Sequence, residues 1–195
     1  MSKELMNTTR RDALTLVGAA AAARVLTGAG KALAQPQRRL GSATKTMFWS
    51  AIVTPCDRNR NFDPAAMRDI IAFQKANGAD GLVILGTTGE FPSFSMAERK
   101  QIAEVAGKNK NGMNIIVNPG TPNLSETIEL AKHAADTGAD GLLVIPPFYY
   151  NDPPLDGLVR YYSGLFDAVQ LPINLYHIPG TSEVPISLDL LSALK

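Results

Sequence analysis

The sequence predicts an α/β fold in which strand–helix units repeat around a parallel sheet, and three observations point there. Five short apolar runs recur, Trp49–Thr54, Gly81–Leu85, Asn114–Val117, Gly141–Ile145 and Pro172–Tyr176, each followed by a turn and a helical pattern. Runs of this length, rich in Val and Ile and without alternation, suit strands buried on both faces of a parallel sheet. Secondly, Asn77-Gly78-Ala79-Asp80-Gly81-Leu82-Val83 returns 60 residues later as Thr137-Gly138-Ala139-Asp140-Gly141-Leu142-Leu143. That interval is two units of about 30 residues, the size of a βαβ step. Thirdly, no Gly-x-Gly-x-x-Gly fingerprint follows any run, which favours a barrel over a doubly wound dinucleotide fold.

The elements follow in order. Residues 1–34 read as an address rather than as part of the fold. Arg10-Arg11 opens a stretch that is uncharged from Ala13 to Ala23, and Ala32-Leu33-Ala34 closes it before Gln35-Pro36. This is the layout of an export signal, with adjacent arginines for the twin-arginine route and small residues for cleavage. An Ala-rich amphipathic helix packed on the domain is the competing reading, but Gly28, Gly30 and Pro36 break its continuation. Residues 35–46 are read as a linker and 47–195 as the barrel portion. Helices are expected at about 65–77, 95–109, 124–137, 156–169 and from 188 onward. Asp63-Pro64 supplies an N-cap with Pro at the first helical position. Ser95-x-x-Glu98 is a capping box and Asn123-x-x-Glu126 a looser one. In the repeated segment glycine ends each helix before a buried strand begins.

Composition excludes several function classes. The 195 residues carry 19 basic and 18 acidic side chains, a formal charge of +1, with 45% hydrophobic and 19% charged residues. Five of the basic and two of the acidic groups fall within residues 1–34, so the remainder carries −2. Nothing in that balance suggests a nucleic-acid partner. No charge-free apolar run reaches the roughly 18–20 residues of a membrane span, so no membrane association is expected once the signal is removed. Cys56 is the single cysteine, no His-Glu-x-x-His is present, and His133 and His177 stand on a helix and at a strand end. No metal and no cofactor are expected.

Chemistry in such a barrel gathers where strands end and βα loops begin. Those ends read Thr54-Pro55, Gly86-Thr87-Thr88-Gly89-Glu90, Asn118-Pro119-Gly120-Thr121, Pro146-Pro147-Phe148-Tyr149-Tyr150-Asn151 and Tyr176-His177-Ile178-Pro179-Gly180. In Gly86–Glu90 two glycines allow a tight turn, and successive amides with two hydroxyls make a compact cradle for a carboxylate or a phosphate. A plain turn with threonines chosen for local hydrogen bonds fits the same residues.

Gly86-Thr87-Thr88-Gly89-Glu90 followed by Ser95–Arg99, then Pro147-Phe148-Tyr149-Tyr150, then Leu175-Tyr176-x-Ile178-Pro179 resembles the dihydrodipicolinate synthase / N-acetylneuraminate lyase family, in register from about Trp49 to the last residue. The resemblance implies a (β/α)8 TIM barrel, of which about five βα units are present. It also implies a homo-oligomer that handles pyruvate, a related 2-keto acid or a sugar acid as a Schiff base on a lysine. By the same resemblance Thr88, Thr87 and the neighbouring amides hold the substrate carboxylate, and Tyr176 is the general acid/base. Thr87 then passes a proton between Tyr176 and Tyr150, which reaches in from a neighbouring subunit, with Tyr149 competing for that role.

Departures from the family pattern narrow the expectation. Thr181 stands where the lysine-pathway synthases carry an arginine for the carboxylate of the aldehyde partner, and Glu183 replaces a glycine. His177 replaces a common Asn, and Asn118-Pro119-Gly120-Thr121-Pro122 replaces a Gly-x-Gly-x-Asn loop. A catabolic, exported keto-acid or sugar-acid lyase is expected in preference to dihydrodipicolinate synthesis. The family's lysine belongs after one more strand, whereas Lys195 is expected inside the helix begun near Leu188, as a solvated residue. A complete barrel needs about 250 residues. The chain alone is therefore expected to be inactive, and either to aggregate through the bare edges of its first and fifth strands or to need the remaining half of the barrel. A non-catalytic exported module for a keto acid or carboxylate, or a remnant, is the alternative. A phosphate-binding barrel enzyme would need a late Gly-rich loop.

Overall fold

Parallel pairing in strict sequence order organises the chain. The computed structural model describes residues 47–195, so the signal and linker readings for 1–34 and 35–46 lie outside the described residues. Strands β1 (Trp49–Ala51), β2 (Gly81–Ile84), β3 (Asn114–Val117), β4 (Gly141–Val144) and β5 (Ile173–Leu175) form one sheet in the order β1-β2-β3-β4-β5. Every pair is parallel. Between them run α1 (Pro64–Ala76), α2 (Met96–Asn109), α3 (Leu124–Asp136) and α4 (Leu155–Ala168), followed by the short α5 (Pro179–Ser182) and α6 (Leu188–Ala193). All five strands and five helices stand within a few residues of expectation. A 3-10 turn at Phe91–Ser93 and α5 are additional.

Local signals act as the sequence suggests. Asp63 Oδ1 accepts from the amides of Ala65 and Ala66, with Pro64 opening α1. The capping box is complete: Glu98 N donates to Ser95 Oγ and Ser95 N to Glu98 Oε2. Ser95 Oγ also donates to Glu98 Oε2 at 2.6 Å, and this bond, followed by the one from Ser95 N, holds the Glu98 carboxyl below its ordinary value. Asn123 caps α3 through Ser125 N alone. Gly78 and Gly138 follow the C-caps of α1 and α3 at φ +84° and +94°, the left-handed conformation that lets the chain reverse into a strand.

The repeated segment has one structural task, done twice. Asp80 N donates to Phe48 O and Asp80 Oδ2 accepts from Phe48 N, at 2.8 and 2.9 Å. Asp140 N and Oδ2 hold Ile115 O and N in the same way, both at 2.8 Å. Each aspartate thus fastens its own strand to the start of the preceding one in the sheet order. Lys110 Nζ adds bonds to Gly138 O and both Asp140 oxygens.

Leu82, Ile84, Ile115, Val117, Leu142 and Val144 merge with Met67, Ile71, Ile102, Ala131, Leu158, Tyr162 and Leu165 into one core between sheet and helices. The expectation of strands buried on both faces is met on that face only. Val83, Ile116 and Leu143 alternate with these residues and are half-buried, because among the described residues no second layer covers them. The edge strands β1 and β5 contain no buried residue, as the absence of an outer neighbour requires. Lys195 also departs from expectation: it is exposed, but α6 stops at Ala193 with Leu194 as its C-cap, so Lys195 lies past the helix. Among the described residues no helix is long and apolar enough to cross a membrane.

Candidate active site

The loop after β2 is held in a tense shape from both ends. Leu85 and Glu90 bracket it at φ +59° and +50°, a conformation that costs a non-glycine residue about 1–3 kcal/mol. Gly89 N donates to Gly86 O and Glu90 N to Thr87 O. Thr54 Oγ1, from the loop after β1, donates to Gly89 O at 2.8 Å. A Cβ on Gly89 would press on Leu85 N and Cα and on Thr54 Oγ1, all at 3.2 Å, and would push these neighbours back by a few tenths of an ångström. Thr87 and Thr88 are left at the exposed crest. Their amides meet no protein acceptor among the described residues. The turn bonds use the amides of Gly89 and Glu90 instead, which leaves two adjacent N–H groups beside the two hydroxyls at the crest.

Across the mouth of the sheet, Thr87 Oγ1 lies 3.2 Å from Tyr176 OH, a contact between residues 89 apart in which either hydroxyl can donate. Among the described residues this is the one pair of expected site residues from different loops that the chain itself brings together. Tyr150 has no bond to Thr87 among the described residues. It is 70% exposed and packs edge to face on Tyr149, which is 81% exposed and at φ +83°. The next loop residue after β5, His177, accepts from Ile186 N through Nδ1 at 3.1 Å. That bond fixes an Nε2–H tautomer and ties the β5 loop to the approach of α6.

A cavity of about 310 Å³ adjoins Thr87 and is lined by Phe91, Pro92, Ile145, Phe148 and Thr181 as well. Phe91 and Phe148 meet edge to face with centroids 5.6 Å apart. A second cavity of about 230 Å³, between Asp152–Leu158 and Val184–Ser187, holds none of the expected site residues.

Beneath the loops lies a buried polar layer that sequence reasoning did not single out. Arg99, 5% exposed, donates from Nη2 to Asn118 O at 2.9 Å and Gly120 O at 3.1 Å, and its guanidinium carbon stands 5.2 Å from the Phe91 ring centroid. Burial lowers its pKa to about 10. Tyr161 OH donates to Thr121 O at 2.8 Å and lies 2.9 Å from Thr127 Oγ1. Burial pushes its pKa up to about 12. The loop after β3 therefore hangs on α2, α3 and α4 together. A signal for Arg99 existed: it stands at the head of the Ile102, Ala103, Ala106 stripe that α2 buries, where a charge has no business unless it is paired. Nothing local marks Tyr161 apart from its neighbour Tyr162.

The described lysines sit on helices or next to their caps: Lys75, Lys100, Lys108, Lys110, Lys132 and Lys195. Among the described residues none bonds to Thr87, Thr88 or Tyr176, and no group of three or more His, Cys, Asp or Glu side chains could hold a metal ion.

Residues 45–195 match the model of the dihydrodipicolinate synthetase family. The 4-hydroxy-tetrahydrodipicolinate synthase of Bradyrhizobium diazoefficiens is 38% identical over 156 residues, covering 78% of this chain and 52% of that protein. The Agrobacterium fabrum synthase is 42% identical over 148 residues, 74% and 49% of the two chains. Among solved structures, YagE, a prophage protein of the dihydrodipicolinic acid synthase family from E. coli K12 in complex with pyruvate, superposes with a TM-score of 0.73 at 32% identity, over 78% of this chain and 51% of that one. The chloride-inhibited synthase of Acinetobacter baumannii, complexed with pyruvate, gives 0.72 at 34% identity, over 77% and 52%. The chain thus spans about half the length of the curated relatives it matches. With an in-order parallel sheet, a TIM-barrel architecture represented in part and a full-register match from residue 45 onward, the chain belongs to the dihydrodipicolinate synthetase family.

Proposed function

We propose that this chain supplies the 2-keto-acid end of a lyase that makes or breaks a carbon–carbon or carbon–oxygen bond next to pyruvate or a related keto or sugar acid. The contact between Thr87 and Tyr176 carries the reading. It sets a phenol and a relay hydroxyl beside free amides that suit a carboxylate, in a family where similar structures hold pyruvate. Thr88, Thr87 and their N–H groups bind the substrate carboxylate. A lysine amine attacks the keto carbon and water leaves, giving an iminium that draws electrons from the adjacent bond. Tyr176 passes a proton to or from the reacting oxygen, and Thr87 links it to Tyr150 of a second copy. The exposure of Tyr149 and Tyr150 leaves both rings accessible to such a partner. The described lysines lie on the helical shell, so the amine belongs to a lysine not among them. The Arg10-Arg11 segment supports an exported, periplasmic location for this chemistry.

The same lysine placement favours a second reading, an exported module that binds a keto acid without turnover. Pyruvate titration followed by ligand-observed NMR tests the shared step. Saturable binding that weakens about tenfold in Thr88→Val, the loss of one hydrogen bond to a charged group, supports it. Absence of saturable binding rejects both readings. Borohydride reduction then separates them: a pyruvate adduct on any lysine of this chain overturns the binding-only reading.

A further inference from the structure

We propose that the substrate carries an uncharged, apolar group beyond its 2-keto-acid head, selected by Phe91, Ile145, Phe148 and Thr181. The inference rests on the keto-acid reading above and specifies the substrate class within it. The cavity begins at Thr87, beside the expected carboxylate cradle and the Tyr176 phenol, so the part of a substrate that continues past the reacting carbons enters it. At about 310 Å³ it exceeds the roughly 150 Å³ in which an apolar cavity already holds benzene. Its walls are two phenyl rings set edge to face, a proline and a buried isoleucine. Among the described residues the only hydroxyls in that lining belong to Thr87 and Thr181, and no charged side chain lines it.

That lining discriminates. A carboxylate at the far end would lose water against Phe91, Phe148 and Ile145 with no cation to meet it. Arg99 does not serve, because its Nη2 is bound to the carbonyls of Asn118 and Gly120 beneath the loops. A sugar-acid chain would bring several hydroxyls to a wall offering Thr181 alone beyond the relay residue, leaving the others unpaired. An aryl or branched alkyl group needs no partner and fills the space.

The test compares three keto acids on the full chain by ligand-observed NMR: pyruvate, 2-oxo-4-phenylbutanoate and 2-oxoadipate. The expected result is a Kd for the phenyl acid about tenfold or more below that of pyruvate, as burial of an aromatic group implies, with 2-oxoadipate no tighter than pyruvate. Thr181 is exposed, so Thr181→Arg is tolerated at the surface, and it should shift the ratio toward 2-oxoadipate by about tenfold. Phe148→Ala should erase the phenyl preference, read as the ratio of the two Kd values, which keeps the question open to refutation if the arginine variant fails to fold. Equal affinity for pyruvate and the phenyl acid overturns this proposal and leaves the keto-acid reading standing, as does tightest binding of 2-oxoadipate. Binding of none of the three overturns both.

Discussion

Replacing Arg99 by methionine sets two opposed energies against each other. The guanidinium is nearly sealed from water, and the fall of its pKa from 12.5 to about 10 corresponds to roughly 3 kcal/mol disfavouring the cation. Against this stand two charge-assisted hydrogen bonds to Asn118 O and Gly120 O, each about 1.5–3 kcal/mol, and the contact with the Phe91 ring, about 0.5–2 kcal/mol. Methionine recovers the burial cost but leaves both carbonyls without their donor. The balance predicts a net loss of about 1–4 kcal/mol in Arg99→Met. Equilibrium urea unfolding by circular dichroism measures it. The ring resonances of Phe91 should shift as well, because its ring loses the guanidinium beside it, and those of Phe148 with them through the edge-to-face contact. A variant as stable as the parent, or more so, would show that burying the cation outweighs what it binds, as happens when some buried ion pairs are replaced by apolar groups.

Two further outcomes follow from packing and from burial. Gly107 on α2 faces Thr137 O at the end of α3, and a Cβ there would lie 1.9 Å from that oxygen. Gly107→Ala should therefore cost about 2–3 kcal/mol or more by urea unfolding, while an ordinary helix gains about 1 kcal/mol from that change; a stabilised variant would refute the contact. Tyr161 has its pKa raised from 10 to about 12 chiefly by burial, its bonds to Thr127 and Thr121 acting against the rise. A raised folded-state pKa means its contribution is fully present below pH 10 and is lost as pH rises through about 12, roughly 2–3 kcal/mol in all. Tyr161→Phe should be less stable than the parent at neutral pH, with the gap narrowing across that alkaline window, and parallel pH profiles would contradict this.

What could be read without coordinates was whatever the chain specifies within a few residues. Asp63-Pro64 and Ser95-x-x-Glu98 cap helices through bonds spanning three residues or fewer, and the shortness of the Val- and Ile-rich runs between them marks strands rather than helices. Burial on the inner face of the sheet was not legible in that way. Val83 and Leu143 are as apolar as Leu82 and Leu142, and only the presence or absence of a covering layer decides their exposure. The pairing of Thr87 with Tyr176 spans three strands, and no spacing rule encodes it. It entered through resemblance, whereas the Arg99 layer entered through neither route. Tyr150 differs from both: its expected role lies across a contact with a second copy, which no local pattern within the chain encodes.

The two ends of the sheet obey different constraints, and this explains where the sequence repeats. At the strand starts, Asp80 and Asp140 each bind the amide and carbonyl of a neighbouring strand. A parallel sheet poses the same backbone problem at each such step, so one solution, Gly-Ala-Asp-Gly, serves twice. At the strand ends the loops after β2 and β4 lead into different chemistry, a threonine cradle in one and an aromatic wall in the other. Sharing a solution there would give two copies of one group where the site needs two different ones. A transplant makes the difference measurable in principle: exchanging residues 77–81 with 137–141 changes Asn77 to Thr and Thr137 to Asn and nothing else, whereas exchanging Gly86–Glu90 with the loop after β4 would remove the hydroxyl that meets Tyr176. The repeat therefore marks the end that holds the fold together, and its absence marks the end to which the proposed substrate site belongs.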